Sequence, residues 1–230
     1  MRLDKFICHN LNLTRTQAKS IIKKGEVTVD GATITNPATH ISLEAEVIYQ
    51  EEAIHTIGNE YFMLHKPKGF VSTNKEGLHP MIFDLLDLMK PGDYHAAGRL
   101  DLDTTGLVLV TNDGQWSHKV TSPSRACGKV YLVELAKDIS DEDIKQLEEG
   151  MLLKGERKIT KPAKVEKVYE NEVRLTIFEG KYHQVKRMFA ALDNNVEGLH
   201  RERIGEITLD PDLGEGEYRP LTQEEINSVK

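Results

Sequence analysis

Cysteine is scarce in this chain, with two in 230 residues. Cys8 and Cys127 lie far apart and in no paired motif, which argues against a disulfide framework and for a reducing cytoplasm. Long hydrophobic runs are missing as well. No apolar stretch approaches the roughly 20 residues needed to cross a bilayer, and residues 1–9 read as a helix start rather than a signal peptide, so no membrane is expected as a partner. No Cys-x-x-Cys, His-Glu-x-x-His or P-loop occurs, leaving metal and nucleotide sites without sequence support. No metal or cofactor is therefore expected. Internal repeats and low-complexity segments are also lacking. Positive charge is in the minority, 30 Lys and Arg against 37 Asp and Glu, for a net charge of -7. Taken alone, that balance argues against a nucleic-acid partner. A phosphate backbone, however, feels the local field rather than the sum.

What is present is an ordinary soluble composition, 39% hydrophobic and 29% charged, with its charges unevenly placed. Residues 1–24 carry Arg2, Lys5, Arg15, Lys19, Lys23 and Lys24 against the single acid Asp4. A second basic stretch, 181–203, holds Lys181, Lys186, Arg187, Arg201 and Arg203. Leu3, Phe6, Ile7 and Leu11 have helical spacing, predicting a short helix over 2–10. Thr14 with Gln17 forms a capping-box pattern at the start of a second helix. In that helix Arg15, Lys19 and Lys23 recur every fourth residue and form one stripe. Glu26-Val27-Thr28-Val29 then meets Asp30-Gly31, a hairpin signal, and a short strand is expected at 46–49. Residues 51–60 are polar and aperiodic and read as linker, with 56–60 joining a first domain of 1–55 to a second of 61–230.

The second domain reads as alternating strands with a few helices. Strands are expected near 61–64, 107–111, 129–135, 163–169 and 172–178, and helices over 80–89, 141–149, 182–192 and 222–229. Ser140 and Thr222 are candidate N-caps, the latter with Glu225 completing a capping box. Strands outnumber helices and pair through hairpins, so the predicted class is α+β with a largely antiparallel sheet.

The most informative stretch is Gly98-Arg99-Leu100-Asp101-Leu102-Asp103-Thr104-Thr105-Gly106, followed by Leu107-Val108-Leu109-Val110 and an Asn-Asp-Gly turn. Two carboxylates and an arginine precede an apolar strand, and a charged loop held on a buried strand is a usual place for chemistry. Asp101 is the leading candidate. A carboxylate acting as nucleophile or base must be ionised, positioned and partly desolvated. Desolvation raises its pKa, so it needs a cation close by. Lys186, in His183-Gln184-Val185-Lys186-Arg187 at a helix start, is the candidate partner. Arg187 points about 100° away on the helix, toward solvent or phosphate. Tyr131 alternates with the apolar residues of Lys129-Val130-Tyr131-Leu132-Val133. His183, His200 and His118 have no ligand spacing and read as ordinary polar residues.

These motifs, in this order, resemble the RsuA family of ribosomal RNA pseudouridine synthases over nearly the whole chain. The first 55 residues resemble the S4 RNA-binding domain, and Lys66-Pro67-Lys68-Gly69 matches the family's first motif. Gly98-Arg99-Leu100-Asp101 matches the catalytic motif, and His183-Gln184-Val185-Lys186-Arg187-Met188 the third. The resemblance implies that Asp101 is catalytic, that Lys186 pairs with it and that Tyr131 stacks on a flipped-out base. It implies RNA contact by Arg2, Arg15, Lys19, Lys23, Lys66, Lys68, Arg99, Gln184 and Arg187, with the two motif lysines divided between phosphate contact and support. The tail through Leu199-His200-Arg201 and Tyr218-Arg219-Pro220 looks most like the small-subunit members. What that implies is isomerisation of one uridine, position 516 of 16S ribosomal RNA, to pseudouridine. The expected partner is that RNA or a partly assembled small subunit, and the expected state a monomer. Two rivals stand beside this reading. One is a non-catalytic S4-type ribosome-assembly protein. The other is an Asp-x-Asp-x-Thr phosphatase dependent on Mg²⁺, a fold in which an apolar strand should precede the acids.

Overall fold

The computed structural model describes residues 1–229 apart from 12, 43, 44, 55–57, 76, 89 and 123–126, and of residue 9 the backbone alone. The chain divides into two compact units, Met1–Glu60 and Tyr61–Lys230. Of the residues read as linker, 56 and 57 lie outside the described residues, as does residue 55 at the end of the first predicted domain.

In the first unit α1 (Leu3–Leu11) and α2 (Arg15–Lys23) pack on a small sheet. Its strands are β1 (Val27–Val29), β2 (Ala32–Thr33), β3 (Val47–Tyr49) and β4 (Glu52–Ala53), in the order β2-β1-β3-β4. The Thr14–Gln17 capping box starts α2, and Asp30 and Gly31 take positive φ to turn β1 into β2, as a two-residue hairpin requires. Leu3, Phe6, Ile7, Ala18, Ile22 and Val27 close a core of their own. The linker expectation is corrected at its start: Glu52–Ala53 pair with β3 and belong to this sheet.

The second unit is built on β5 (Tyr61–Lys66), β6 (His95–Ala97), β7 (Thr105–Thr111), α3 (Gly114–Thr121), β8 (Lys129–Leu135), α4 (Asp141–Glu149), β9 (Lys164–Tyr169), β10 (Glu172–Ile177), α5 (Gln184–Ala191), β11 (Val196–Ile204), β12 (Ile207–Thr208), β13 (Tyr218–Pro220) and α6 (Gln223–Ser228). The sheet runs β13-β5-β7-β11-β8-β10-β9, with β12 on β11 and β6 on β7. Every pairing in it is antiparallel except β7 with β11, consistent with the α+β class. All seven residues of β7 are buried. Leu107 and Leu109 face a core with Trp116 and Ile204, while Val108 and Val110 face one with Val133, Leu175, Met188 and Phe189, the two-residue alternation of a strand covered on both faces. β5 takes one edge of β7. The other edge is shared, with β6 pairing to Leu109–Thr111 and β11 to Thr105 and Gly106. The 98–104 loop leaves β6 and enters β7 where these two neighbours part.

Three expectations are corrected. Residues 80–89 hold one turn of 3-10 helix, Ile82–Leu85, rather than an α-helix. Val71 exchanges backbone bonds with Pro80 and Ile82, so that segment's backbone is held in an extended bridge, and residue 89 lies outside the described residues. The Asn-Asp-Gly segment read as a turn starts α3, because the Asp113 carboxylate accepts from the backbone N–H of Gln115 and Trp116, a side-chain N-cap. β11, in the middle of the sheet, had no counterpart in the sequence reading, since its charged residues hide the inward alternation of Leu199 and Arg201.

Candidate active site

The loop carrying Asp101 is clamped from beneath. Lys66, at the end of β5, is fully buried. Its ammonium donates to the carbonyls of Pro67 at 2.9 Å, Thr104 at 2.8 Å and Leu102 at 3.4 Å. Burial lowers its pKa to about 8, with Asp103 and Asp101 pulling the other way. Ser72 Oγ donates to the Leu100 carbonyl and accepts from the Leu100 N–H, and Gly69 N–H donates to the Leu102 carbonyl. The 66–72 segment thus holds both ends of the loop.

At the loop's crest the Asp101 carboxylate, one-third exposed, lies 3.4 Å from His183 Nε2 and 3.7 Å from Lys186 Nζ. Lys186 also donates to Asp103 at 2.5 Å. That hydrogen bond holds the Asp103 carboxyl below the usual carboxylate range. His183 sits in the left-handed region (φ 47°) as the residue before α5, and its ring stacks on Tyr182 at 3.8 Å. Lys186 therefore comes from the first turn of α5, reaching two carboxylates that a helix N-terminus would in any case favour. The turn before it is braced by Glu156, which accepts from Lys181 at 2.9 Å and Arg187 at 3.1 Å.

Asp101, Lys186 and His183 line a cleft of about 450 Å³ together with Tyr131, Lys129 and Arg201. Burial pushes the Lys129 ammonium down, and it donates to the Cys127 carbonyl at 2.9 Å. Arg201 is 1% exposed. It donates to the Leu107 carbonyl at 2.8 Å, the Gly98 carbonyl at 2.5 Å and the Tyr131 hydroxyl at 3.3 Å. Gly106 makes this crossing possible, because a Cβ there would stand 2.3 Å from the Arg201 carbonyl oxygen. A carboxylate held between an imidazole and an ammonium, beside an aromatic side chain, has the chemistry of a nucleophile or a general base.

The sequence profile described as RNA pseudouridylate synthase matches residues 60–191, and that of the S4 domain matches residues 1–47. The chain belongs to the RNA pseudouridylate synthase family. It is 51% identical to "Ribosomal small subunit pseudouridine synthase A" of Haemophilus influenzae, over 100% of this chain and 99% of that one. With the Escherichia coli K12 protein of the same name it shares 51% over 100% of both, and with that of Vibrio cholerae 52% over 100% and 99%. A crystal structure titled pseudouridylate synthase superimposes over 100% of both chains with a TM-score of 0.73 and 50% identity. The chain is accordingly an RNA-modifying isomerase with an N-terminal S4 domain, and the phosphatase reading falls. His95–Ala97, just before the acids, is a short strand that the sequence reading did not include.

Against this synthase frame, Asp101, Tyr131 and Lys186 come together at one cleft. Lys68 and Arg99 are exposed and in no ion pair among the described residues. Arg15, Lys19 and Lys23 lie exposed along α2, while Arg2 is half-exposed and clasped by Asp4 through two hydrogen bonds. Three of the residues expected to contact RNA are held by the protein itself. Lys66 is sealed from solvent and spends its donors on carbonyls, so it supports the loop. Gln184 is 4% exposed, its amide joining Lys181 N–H to Glu179. Arg187 is tied to Glu156 and to the carbonyls of Tyr182 and Lys154. Sequence reasoning passed over His183, dismissed for want of ligand spacing, and named Arg201 only as part of a basic stretch. For His183 the available signal was its place three residues before Lys186, one helical turn away. For Arg201 it was the two-residue offset from Leu199.

Proposed function

We propose that this enzyme converts one uridine of 16S ribosomal RNA, position 516, to pseudouridine, acting in the cytoplasm on that RNA or on a partly assembled small subunit. The observation that carries the reading is the Asp101 carboxylate at 3.4 Å from His183 and 3.7 Å from Lys186 over a cleft floored by Tyr131. Full-length similarity to proteins named for the ribosomal small subunit supports the choice of RNA.

The target base leaves its stack and enters the cleft, resting on Tyr131. The N1–C1′ bond breaks with its electron pair going to the uracil. Asp101 either captures C1′, to be displaced when C5 attacks that carbon, or removes the C2′ proton and returns it as C5 bonds to C1′. The ring turns, C5 bonds to C1′, the hydrogen at C5 departs as a proton and N1 gains one. Lys186 and His183 hold the Asp101 side chain in place beside the cleft. Lys68 and Arg99, exposed beside the loop, meet phosphate, as do Arg15, Lys19, Lys23 and the exposed edge of Arg2 in the S4 unit.

The test is tritium release from 16S ribosomal RNA labelled at uridine C5, with and without ribosomal proteins, for wild type and Asp101→Asn. Release by wild type alone is expected, and it should vanish on RNA carrying cytidine at position 516. Release that persists on that RNA reassigns the target. No release on any RNA form leaves an S4-type binding protein.

A further inference from the structure

A guanidinium sealed at 1% exposure and paired with no carboxylate among the described residues is an expensive thing to keep, since a buried charge without a counter-ion must be repaid by hydrogen bonds. Arg201 finds three acceptors on three different elements. These are Leu107 of β7, Gly98 at the root of the Asp101 loop, and the hydroxyl of Tyr131 on β8. The backbone is shaped to admit it, with positive φ at Gly98 and Gly106 and no room for a side chain at Gly106. An apolar residue would fill this space without the cost of the charge.

The bond to Tyr131 is directional. Guanidinium has donors and no acceptor, so the phenolic oxygen receives and its own proton must go elsewhere. No other partner for that hydroxyl occurs among the described residues, and Tyr131 lines the cleft.

We propose that Arg201 is a positioning residue for the isomerisation, holding Tyr131 with its O–H aimed into the cleft as a donor to a carbonyl oxygen of the detached base once that base has turned off the tyrosine face. The inference rests on the function proposed above. When N1–C1′ breaks, the electron pair remains on the uracil, and a hydrogen bond from Tyr131 stabilises that charge with no proton transferred. A lysine at 201 keeps the charge but not the planar fork that reaches three directions.

The experiment measures kcat and KM by tritium release for wild type, Arg201→Lys, Tyr131→Phe and the double variant, with circular dichroism to confirm folding. Arg201→Lys is expected to lower kcat about tenfold or more while KM stays within about threefold, and Tyr131→Phe to do the same. The double variant should be slower than the poorer single by no more than about threefold, the non-additivity of two residues acting as one unit. Multiplying effects, or a folded Arg201→Lys with wild-type kcat, overturn the proposal. If Arg201→Lys does not fold, Tyr131→Phe decides, and an unchanged kcat there overturns it. An active wild type with an indifferent Arg201→Lys sinks this inference alone, whereas a wild type inactive on every RNA form takes the isomerase reading with it.

Discussion

Arg15, Lys19 and Lys23 stand exposed along one face of α2, in no ion pair among the described residues, whereas around the cleft Lys66, Arg187 and Arg201 are tied to protein oxygens. The same charges do different work in the two units. A cation left in water is available to a polyanion, adds affinity with little regard to sequence, and weakens as salt rises. A cation withdrawn from water must be repaid by fixed acceptors, and in being repaid it fixes the backbone that supplies them. The net charge of -7 is thus a poor guide to either unit.

The sharpest test of the contrast is at the carboxylate the tied cations serve. Asp101→Asn is expected to cut turnover by a factor on the order of 10⁴ while RNA affinity, measured by filter binding, stays near wild type. An active purified variant breaks the assignment. Next in size is Lys66→Met, which leaves the Pro67, Leu102 and Thr104 carbonyls without their donor and should cost about 3 kcal/mol in urea unfolding. If Lys66 were a phosphate contact instead, stability would hold and RNA affinity would fall. The pH dependence adds a second reading. Because burial holds Lys66 at about 8 against an ordinary 10.5, the unfolded chain binds more protons between those values. The lysine's contribution therefore makes stability rise with pH across that window, and Lys66→Met should flatten the slope.

Arg15→Ala with Lys19→Ala tests the other side. RNA affinity should drop roughly tenfold at moderate salt, and the slope of log affinity against log salt should fall by about 2, with kcat on saturating RNA unchanged. Unaltered affinity would remove α2 from docking. The smallest effect is expected from Asp103→Asn. Its bond to Lys186 keeps Asp103 charged below the ordinary carboxylate range, so that stabilisation is present above this range and disappears as pH falls through the folded-state value. With the side chain 66% exposed, the loss at neutral pH should be under about 1 kcal/mol, read by thermal unfolding at several pH values.

Much of this molecule was legible along the chain. The α2 capping box, the Asp30-Gly31 hairpin and the Thr222–Glu225 cap are set by residues one to three apart, where side chain and backbone meet without help from the rest of the fold. Asp101 stood out because its acids adjoin a buried strand, and Lys186 because a carboxylate at work needs a cation.

What the chain did not disclose depends on partners far away in sequence. β11 is a strand because β7 and β8 flank it, and its charges hid that. Arg201 and Lys66 look like surface cations until Tyr131, Gly98, Leu107 and Thr104 surround them. His183 joins Asp101 across 82 positions only because α5 begins beside the loop. Local pattern marked most of the elements and singled out the acid proposed as catalytic. Tertiary structure decided which cations remain in water and which are spent on the site, because burial belongs to the packed whole and not to any stretch of sequence.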